Sequence, residues 1–311
     1  MKIRLTTSTL LALSVAACGG GGGDDDGSDA PGDADGGSDG DDETDAAPDA
    51  DGFAPIVTVD WTLDPPEGAN PDKYWCASRT LTHDTIITGF RAISPGGTHH
   101  TVLSVGSGGA DDPGSECSVF SNHSNLLFAS GVGTDDFVFP DGVGLPLQAG
   151  QQIFVNVHLF NATDSELDGT SGVAVTTADS VEIEAEFTFA GTLDINIPED
   201  SPPTHEESGT CTMQADAKIL NWWPHMHQLG RNMAITVNGD EVFDQTFNFL
   251  EQKNYPVDID VEAGDVVGVT CTYEGHPDQD VGWGDSSNQE MCFAGFYRYP
   301  RVGEAFCDLG I

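Results

Sequence analysis

The sequence predicts an all-β protein, and three observations support that prediction. No long amphipathic helix pattern follows Phe53. Short runs rich in β-branched and aromatic residues recur about every ten residues, with Gly, Pro, Asn and Asp between them. Within residues 181–189, apolar side chains alternate with Glu and Thr, which predicts a strand with one buried and one solvated face. Together these features are typical of antiparallel β-sandwiches.

The predicted strands are short, and turn residues bound them. Residues 234–243 predict a hairpin, because Asn238-Gly239-Asp240 separates two β-rich segments. About 258 residues follow Phe53, which is large for one sandwich and suits two. Further strands are predicted at 56–63, 85–93, 152–160, 181–189, 217–223 and 265–273.

The N-terminus predicts export and a lipid anchor. Two basic residues precede the apolar run Leu10–Ala17, which is too short to span a bilayer and is typical of a signal peptide, here 1–17. The run ends in Val15-Ala16-Ala17-Cys18, which resembles the bacterial lipobox. That resemblance implies a lipidated Cys18 and a protein held by its lipid in the bacterial cell envelope, at the outer membrane, the cell surface or the periplasmic face. An ordinary secretory signal is the alternative.

Residues 18–53 predict a disordered acidic linker. A five-glycine run opens it, and residues 19–52 hold 13 acidic and no basic residues. Such a segment buries too little apolar surface to repay the entropy of folding, and its charges repel one another. A calcium site at Asp49-Ala50-Asp51-Gly52 is the alternative, although no Glu follows at the spacing of a calcium loop.

The net charge of −42 excludes some partners. A protein with this much negative charge repels nucleic-acid phosphates and anionic lipid headgroups. We therefore expect no nucleic-acid binding and no membrane contact except through the lipid. From Phe53 onward the chain keeps 39 acids and eight bases. This balance favours a neutral or cationic ligand.

Six cysteines remain when Cys18 is set aside. An even number in an exported protein predicts three disulfides, and fifteen pairings are possible. Spacing alone does not choose among them. The six are Cys76, Cys117, Cys211, Cys271, Cys292 and Cys307.

Five histidines and one methionine form candidate metal ligands. His99 and His100 are adjacent, so both can face one ion only where the strand is irregular, and Pro95-Gly96-Gly97 supplies a break. Each side chain taken alone is more typical of a core or surface residue. Jointly, imidazoles with a thioether favour copper over zinc. The six candidates are His99, His100, His158, His225, His227 and Met291.

Four segments, in order, resemble the copper type II ascorbate-dependent monooxygenases. They are 89–105 (GFRAISPGGTHHTVLSV), 125–159 (NLLFASGVGTDDFVFPDGVGLPLQAGQQIFVNVHL), 211–230 with WWPHMHQLG, and 283–299 (WGDSSNQEMCFAGFYRY). The resemblance covers roughly residues 75–311 and rests on four motifs in one order, which is far more specific than any single motif.

The resemblance implies two copper ions per chain, with one in each of two jelly-roll-like β-sandwiches that face a solvent-filled cleft. Residues 54–183 would form the first sandwich and 184–311 the second. His99, His100 and His158 would bind the electron-transfer copper. His225, His227 and Met291 would bind the catalytic copper that meets dioxygen. Ascorbate or another one-electron donor would supply electrons, and a small-molecule substrate would be hydroxylated. As a separate expectation, the protein is a monomer.

The resemblance also implies the disulfides Cys76–Cys117, Cys211–Cys307 and Cys271–Cys292. Two departures bear on the substrate. Where the peptide-hydroxylating members carry an Arg that grips the substrate, this chain has Trp223, and where they carry a substrate-binding Tyr, it has Gly295. A peptide carboxylate therefore has no evident partner.

Three functions remain open at this level: a copper monooxygenase, a copper-binding lipoprotein without catalysis, and an adhesion or carbohydrate-binding sandwich. Two further expectations concern side chains. An apolar pocket is one possible role for Trp222, Trp223, Phe154 and Phe160, and core packing is the alternative. The remaining histidines are expected on the surface, with a supporting role for His276 as an alternative: His83, His123, His205 and His276.

Overall fold

The structure is a computed structural model that describes residues 48–65, 72–118, 125–161, 163–284, 286–303 and 307. The predicted signal peptide, Cys18, most of the linker and His123 lie outside these residues. The described residues form strands and turns and no helix, so the all-β prediction is confirmed. None of them forms a helix of the length and apolarity that crossing a bilayer requires.

Among the described residues, eleven strands build the first sandwich, in two sheets. One sheet has the order β1-β10-β3-β8-β11, with β7 paired to β3, and the other has the order β5-β2-β9-β4-β6. All pairs are antiparallel except β11 with β8. The strands are β1 Ala54–Leu63, β2 Asp72–Thr80, β3 Thr85–Ile93, β4 Thr98–Ser107, β5 Asp112–Glu116, β6 Asn125–Gly131, β7 Phe137–Val138, β8 Val143–Leu147, β9 Gln151–Phe160, β10 Leu167–Ala178 and β11 Ile183–Glu184.

In the part of the chain that the structure describes, ten strands build the second sandwich. Its two four-stranded sheets have the orders β12-β21-β15-β18 and β14-β19-β16-β17, and β13 pairs with β20. The strands are β12 Glu186–Thr192, β13 Asn196–Ile197, β14 His205–Thr212, β15 Ala217–His225, β16 Gly230–Val237, β17 Asp240–Thr246, β18 Tyr255–Val261, β19 Val266–Tyr273, β20 Val281–Gly282 and β21 Cys292–Tyr299.

An aromatic cluster joins the two sandwiches. Tyr297 of β21 lies 4.3 Å from Phe137 and 5.8 Å from Phe90, measured between ring centroids. Its hydroxyl donates a hydrogen bond of 2.7 Å to the carbonyl of Leu127 in β6. Trp223 of β15 belongs to the same buried cluster as the first-sandwich core. One face of the β12-β21-β15-β18 sheet therefore packs against the first sandwich.

Most predicted strands are present, and the hairpin is confirmed. Asn238 and Gly239 have φ angles of 54° and 87°, the left-handed conformation that a tight two-residue turn requires. The single strand predicted at 181–189 is wrong. The chain leaves β11 and enters β12 at Ala185, and so passes from one sandwich to the other. As a result Ile183 is exposed, while Glu186 is buried and paired with Arg298.

The structure contains the disulfides Cys76–Cys117, Cys211–Cys307 and Cys271–Cys292, the same pairs that the resemblance implies. Residues at the end of the predicted linker form a hydrogen-bonded turn, in which Asp49 accepts from the backbone N–H of Phe53. The carboxylates of Asp49 and Asp51 both pair with Arg91. The Arg91 guanidinium thus supplies the positive charge that a calcium ion would supply in the alternative interpretation of these two carboxylates.

Candidate metal centre

The first histidine group lies where β4 pairs with β9. His100 is directly opposite His158, and the register shifts between Thr98 and His100. This irregularity, next to Gly97 with a φ angle of 101°, lets both adjacent histidines turn to one side. The ligand atoms of His99, His100 and His158 lie within 4.8 Å of one another.

The imidazoles of this group face one another through their Nδ1 atoms. The Nδ1 of His100 is 3.2 Å from that of His99 and 3.3 Å from that of His158. Ring nitrogens about 2 Å from one tetrahedral ion would be separated by about 3.3 Å. The three side chains therefore fit a single metal ion of the type that imidazole prefers.

Neighbouring side chains hold this group in place. The ring of Tyr74 stacks on His158 at 4.6 Å and 11°. Ser171 in the opposite sheet binds the hydroxyl of Thr98, which starts β4, and also accepts a hydrogen bond from Trp61 Nε1, both at 2.7 Å. These contacts fix the start of β4, and hence the irregular segment that presents the histidine pair.

The second group lies at the end of β15. His225 pairs with Phe293 of β21, and beyond the paired residues the N–H of His227 donates to Glu290, the residue before Met291. The rings of His225 and His227 are 5.3 Å apart between centroids. All three side chains are buried. Two imidazoles therefore lie beside the segment that carries Met291, the candidate thioether ligand, and a thioether favours Cu(I).

Hydrogen bonds fix the tautomer of both histidines. His225 Nδ1 donates to Gln252 Oε1 at 2.8 Å, and His227 Nδ1 donates to the carbonyl of Gln289 at 3.0 Å. With the proton on Nδ1, each Nε2 keeps its lone pair for a metal.

The backbone beside Met291 is fixed from two sides. Tyr273, which is buried, donates its hydroxyl to the carbonyl of Met291 at 2.7 Å, and the Cys271–Cys292 disulfide joins the neighbouring residue to β19. Glu290 accepts from the N–H groups of His227 and Leu229 at 2.8 and 2.6 Å. Burial raises the pKa of Glu290 to about 7, although these hydrogen bonds oppose the shift.

Burial keeps three of the histidines neutral. It lowers the pKa of His100 well below its ordinary value, with a further contribution from the neighbouring imidazoles. The pKa of His225 falls to about 4 and that of His227 to about 3, again mainly through burial. Neutral imidazole is the form that binds metals, so no proton has to leave these rings near neutral pH.

The two groups of candidate ligands lie next to each other. The rings of His100 and His225 are 6.0 Å apart between centroids. Phe249 lies 4.4 Å from His99 and 6.3 Å from His227. No side chain of the six is more than 9% exposed. The resemblance implies a solvent-filled cleft between the groups, whereas here their described side chains form one buried cluster.

The two positions at which this chain departs from the family pattern, Trp223 and Gly295, lie opposite each other. Trp223 pairs with Gly295, and its ring stacks on His225 at 4.9 Å and 12°. A Cβ on Gly295 would lie 2.5 Å from the ring of Phe187. Apolar packing therefore fills the two positions at which the resemblance places a carboxylate-binding Arg and a substrate-binding Tyr in the peptide-hydroxylating members of that family.

The aromatic and histidine side chains that the sequence analysis singled out, apart from the candidate ligands, lie in several different environments. Trp222 packs in the second core against Phe296, as the core alternative predicts. Phe160 lies 6.3 Å from His99, whereas Phe154 lines a groove of about 650 Å³ at Cys76–Cys117. His205 pairs with Glu207, and His276 accepts a hydrogen bond from Asp278.

Comparison with known proteins supports the resemblance to the copper type II ascorbate-dependent monooxygenases. Residues 187–310 match the family model described as copper type II ascorbate-dependent monooxygenase, C-terminal domain. The matched region contains His225, His227 and Met291, and the first histidine group lies outside it. No curated protein matches this chain.

Similar solved structures give no further guidance. A structure of PNGF-II is 8% identical with a TM-score of 0.24, and covers 82% of this chain and 62% of that chain. The dimeric latent PorU from Porphyromonas gingivalis is 8% identical with a TM-score of 0.19, and covers 73% of this chain and 24% of that chain. This chain thus spans less than two thirds of either protein, and scores this low do not identify a shared fold.

Sequence reasoning missed the residues that support the ligands. Gln252, Gln289 and Phe249 come from loops whose position depends on tertiary packing, so no spacing rule indicates them. Glu290 carried a signal, because an acid stands directly before a candidate ligand where an apolar run begins. Tyr74 had none, since its contact with His158 arises only from the pairing of β2 with β9.

Proposed function

We propose that this protein is a copper-dependent monooxygenase that hydroxylates a C–H bond with dioxygen and a one-electron donor such as ascorbate. One observation carries the proposal. Two groups of buried candidate ligands lie next to each other, in a chain whose residues 187–310 match that family's C-terminal domain. One group has three imidazoles, and the other has two imidazoles with a candidate thioether.

The chain's own residues would have distinct roles. His99, His100 and His158 would hold a first ion, and His225, His227 and Met291 a second. Copper supplies the one-electron redox chemistry and the reaction with dioxygen that no side chain provides. Gln252 and the Gln289 carbonyl orient the second pair of rings, and burial keeps water away from both groups.

The substrate is proposed to be a small neutral or cationic molecule. Trp223 offers no charge to a carboxylate, and the chain from Phe53 onward has 39 acids against eight bases. An anion would therefore meet repulsion without a compensating partner.

Location and assembly are part of the proposal. We infer that Cys18 carries the lipid that holds the protein in the bacterial cell envelope, and that the acidic linker keeps the sandwiches away from the membrane. The protein would act as a monomer without nucleic-acid partners. Mass spectrometry of the mature N-terminus tests the lipid, since an unmodified Cys18 would contradict it.

The test of function is anaerobic reconstitution with copper, followed by ascorbate and ¹⁸O₂ with a panel of neutral and amine substrates. The proposal expects two coppers per chain and one ¹⁸O atom in a hydroxylated product. A Met291→Ile variant should keep the first copper and lose product formation, whereas His83→Ala, at an exposed histidine, should behave as the wild type.

A copper-binding protein without catalysis is the second candidate, and the burial of all six ligands favours it, since closed metal sites suit storage. The two candidates give different results in the same experiment. If both coppers bind tightly and ascorbate oxidation yields no hydroxylated product from any substrate, the storage function replaces the monooxygenase.

A further inference from the structure

The three disulfides differ in how far they are exposed. The four bonded cysteines of the second sandwich are at most 1% exposed, so a reagent in solution does not reach their sulfurs while the chain is folded. Cys76 and Cys117 are half-buried, and both line the groove of about 650 Å³. Thiol–disulfide exchange requires a thiolate to reach a disulfide sulfur. Of the three disulfides, Cys76–Cys117 is therefore the one that an external thiol reaches most readily.

A buried amide lies beside this accessible disulfide. Nδ2 of Asn156, which is 2% exposed, donates to Sγ of Cys76 at 3.3 Å and to Sγ of Cys117 at 3.6 Å. When a thiolate attacks one sulfur, the other leaves as a thiolate, and exchange is faster when that leaving thiolate is stable. Because a hydrogen bond strengthens when its acceptor is charged, Asn156 stabilises the leaving thiolate more than the intact disulfide. The shorter contact indicates Cys76 as the leaving group and Cys117 as the sulfur attacked.

The disulfide is connected to the first histidine group through a pair of strands. Cys76 pairs with Asn156, and two residues away on the same strands Tyr74 pairs with His158 and stacks on its ring at 4.6 Å. The carbonyl of Tyr74 accepts a hydrogen bond of 2.9 Å from the N–H of Cys117. Tyr74 is thus held between a candidate metal ligand and the segment that the disulfide closes.

This segment is an edge strand with few other supports. Among the described strands β5 pairs with β2 alone, and the register shifts within that short pairing. The ion pair between Glu116 and Lys73 is exposed, and exposed pairs contribute little to stability. Without the covalent link, Cys117 and its hydrogen bond to Tyr74 would open locally at low cost.

We propose that Cys76–Cys117 is a redox-active disulfide that an external dithiol opens, and that opening it weakens metal binding by the first histidine group. One thiolate of the dithiol attacks Cys117, and Cys76 leaves as a thiolate. The second thiolate of the dithiol then displaces Cys117 and closes the reagent's own disulfide. Two electrons and two protons pass from the dithiol to the two cysteines. The effect on metal binding rests on the proposed function, whereas the opening of the disulfide does not.

The first test treats the folded, copper-free full chain with dithiothreitol for increasing times, alkylates the free thiols and locates them by mass spectrometry. Cys76 and Cys117 should be alkylated at least about tenfold faster than the four bonded cysteines of the second sandwich, because they alone are accessible. Similar rates at all three disulfides, or faster opening of another one, would overturn the inference.

The role of Asn156 has its own test. Asn156→Leu keeps much of the side-chain volume and removes the donor, so the opening of Cys76–Cys117 should slow severalfold while the other disulfides are unaffected. Ser107→Ala, at an exposed residue of the same groove, is the control. A purely structural role predicts the opposite sign, since looser packing would speed the opening. Faster or unchanged opening in Asn156→Leu would contradict the stabilisation of the leaving thiolate.

The second test measures copper in the absence of free thiols, because thiolates bind copper themselves. The disulfide is removed by the double substitution Cys76→Ser and Cys117→Ser. In a His227→Ala background, which disables the second group, competition with a Cu(I) chelator should show severalfold weaker binding than with the disulfide intact. In a His100→Ala background, which disables the first group, binding should be unchanged. Equal losses in both backgrounds, or no loss in either, would contradict the connection to the first group.

Circular dichroism of each variant accompanies the copper measurement. If the double serine variant is unfolded, the chain with the disulfide opened by dithiothreitol, alkylated and freed of reagent before copper is added replaces it, with the same expected results.

These outcomes separate the inference from the proposed function. Selective opening of Cys76–Cys117 and weaker copper binding by the first group, without any hydroxylated product from the wild type, would support the redox site and contradict the monooxygenase. Hydroxylated product from the wild type, without selective opening, would contradict the redox site and leave the monooxygenase standing.

Discussion

The two ligand groups are supported in different ways. In the first sandwich, three imidazoles face one another, and neutral contacts from Tyr74, Thr98 and Ser171 surround them. In the second, each imidazole is bound to an acceptor outside the group. The first group is thus defined mainly by strand register, whereas the second depends on loops.

This difference has a chemical consequence. The second group is built beside an ionisable carboxylate, Glu290, and its proposed thioether ligand, Met291, is the next residue in the chain. Under the proposed function, the second group would meet dioxygen and the first would pass electrons, so the ionisable neighbour lies beside the proposed reaction site. Perturbing each support in turn tests the contrast.

The largest effect is expected from His100→Ala. His100 lies between His99 and His158 and also contacts His225. If the groups bind metal separately, the variant should retain one copper per chain, held by the second group, as measured by metal analysis after dialysis. His83→Ala is the control and should retain both ions. Loss of both ions from His100→Ala would show that the groups form one centre.

Glu290→Gln should change how stability depends on pH. The raised pKa, about 7 in place of 4.5, means that the folded protein keeps a proton that the unfolded chain loses. Wild-type stability from this group is therefore present below pH 4.5 and falls as pH rises to about 7, by on the order of 3 kcal/mol. Because glutamine does not ionise, Glu290→Gln does not lose stability in this way as pH rises.

Urea unfolding of the copper-free protein at several pH values between 4.5 and 7.5 measures the effect. The stability of Glu290→Gln relative to the wild type should rise across this range. The histidines titrate equally in both proteins and cancel in the difference. Glu274→Gln, at an exposed carboxylate paired with Arg231, is the matched control. A difference independent of pH would show that Glu290 is ionised throughout.

Gln252→Leu should affect the second group alone. The leucine keeps most of the volume and removes the acceptor that fixes the His225 tautomer. Loss of such a supporting hydrogen bond lowers metal affinity by about 10–100-fold. Competition with a Cu(I) chelator measures it. Gln245→Leu, at an exposed glutamine, should have no effect, and an equal loss from the first group would contradict the separation of the two.

The fold was largely predictable because strand alternation and turn chemistry are local. Residues 85–93 are predicted as a strand from composition and form β3, and Asn238-Gly239 predicts its turn. The error at 181–189 has a physical cause. Alternation indicates that one face is buried, but it does not show that the chain changes sheets at Ala185. Nor does it show that Arg298, a distant residue, neutralises Glu186.

The site was predictable in its ligands and not in its surroundings. His99, His100 and His158 could be grouped because the resemblance places them together. The contact between His100 and His225 depends on how the sandwiches pack, which the aromatic cluster around Tyr297 determines. Phe249 and Gln252 reach the ligands from a loop, where no periodicity operates.

The smallest effect is expected from Ser171→Ala. This variant tests whether the contacts that support the first histidine group are all uncharged. Ser171 accepts from Trp61 and binds Thr98, so the alanine leaves the buried Trp61 N–H without its partner. The cost is about 1–2 kcal/mol of stability. Because no group in this contact ionises, the cost should be the same at pH 5 and pH 8. Ser208→Ala, on an exposed strand face, is the control. A pH-dependent cost would mean that ionisable groups support the first site too, and the contrast between the two groups would then lie only in their ligands.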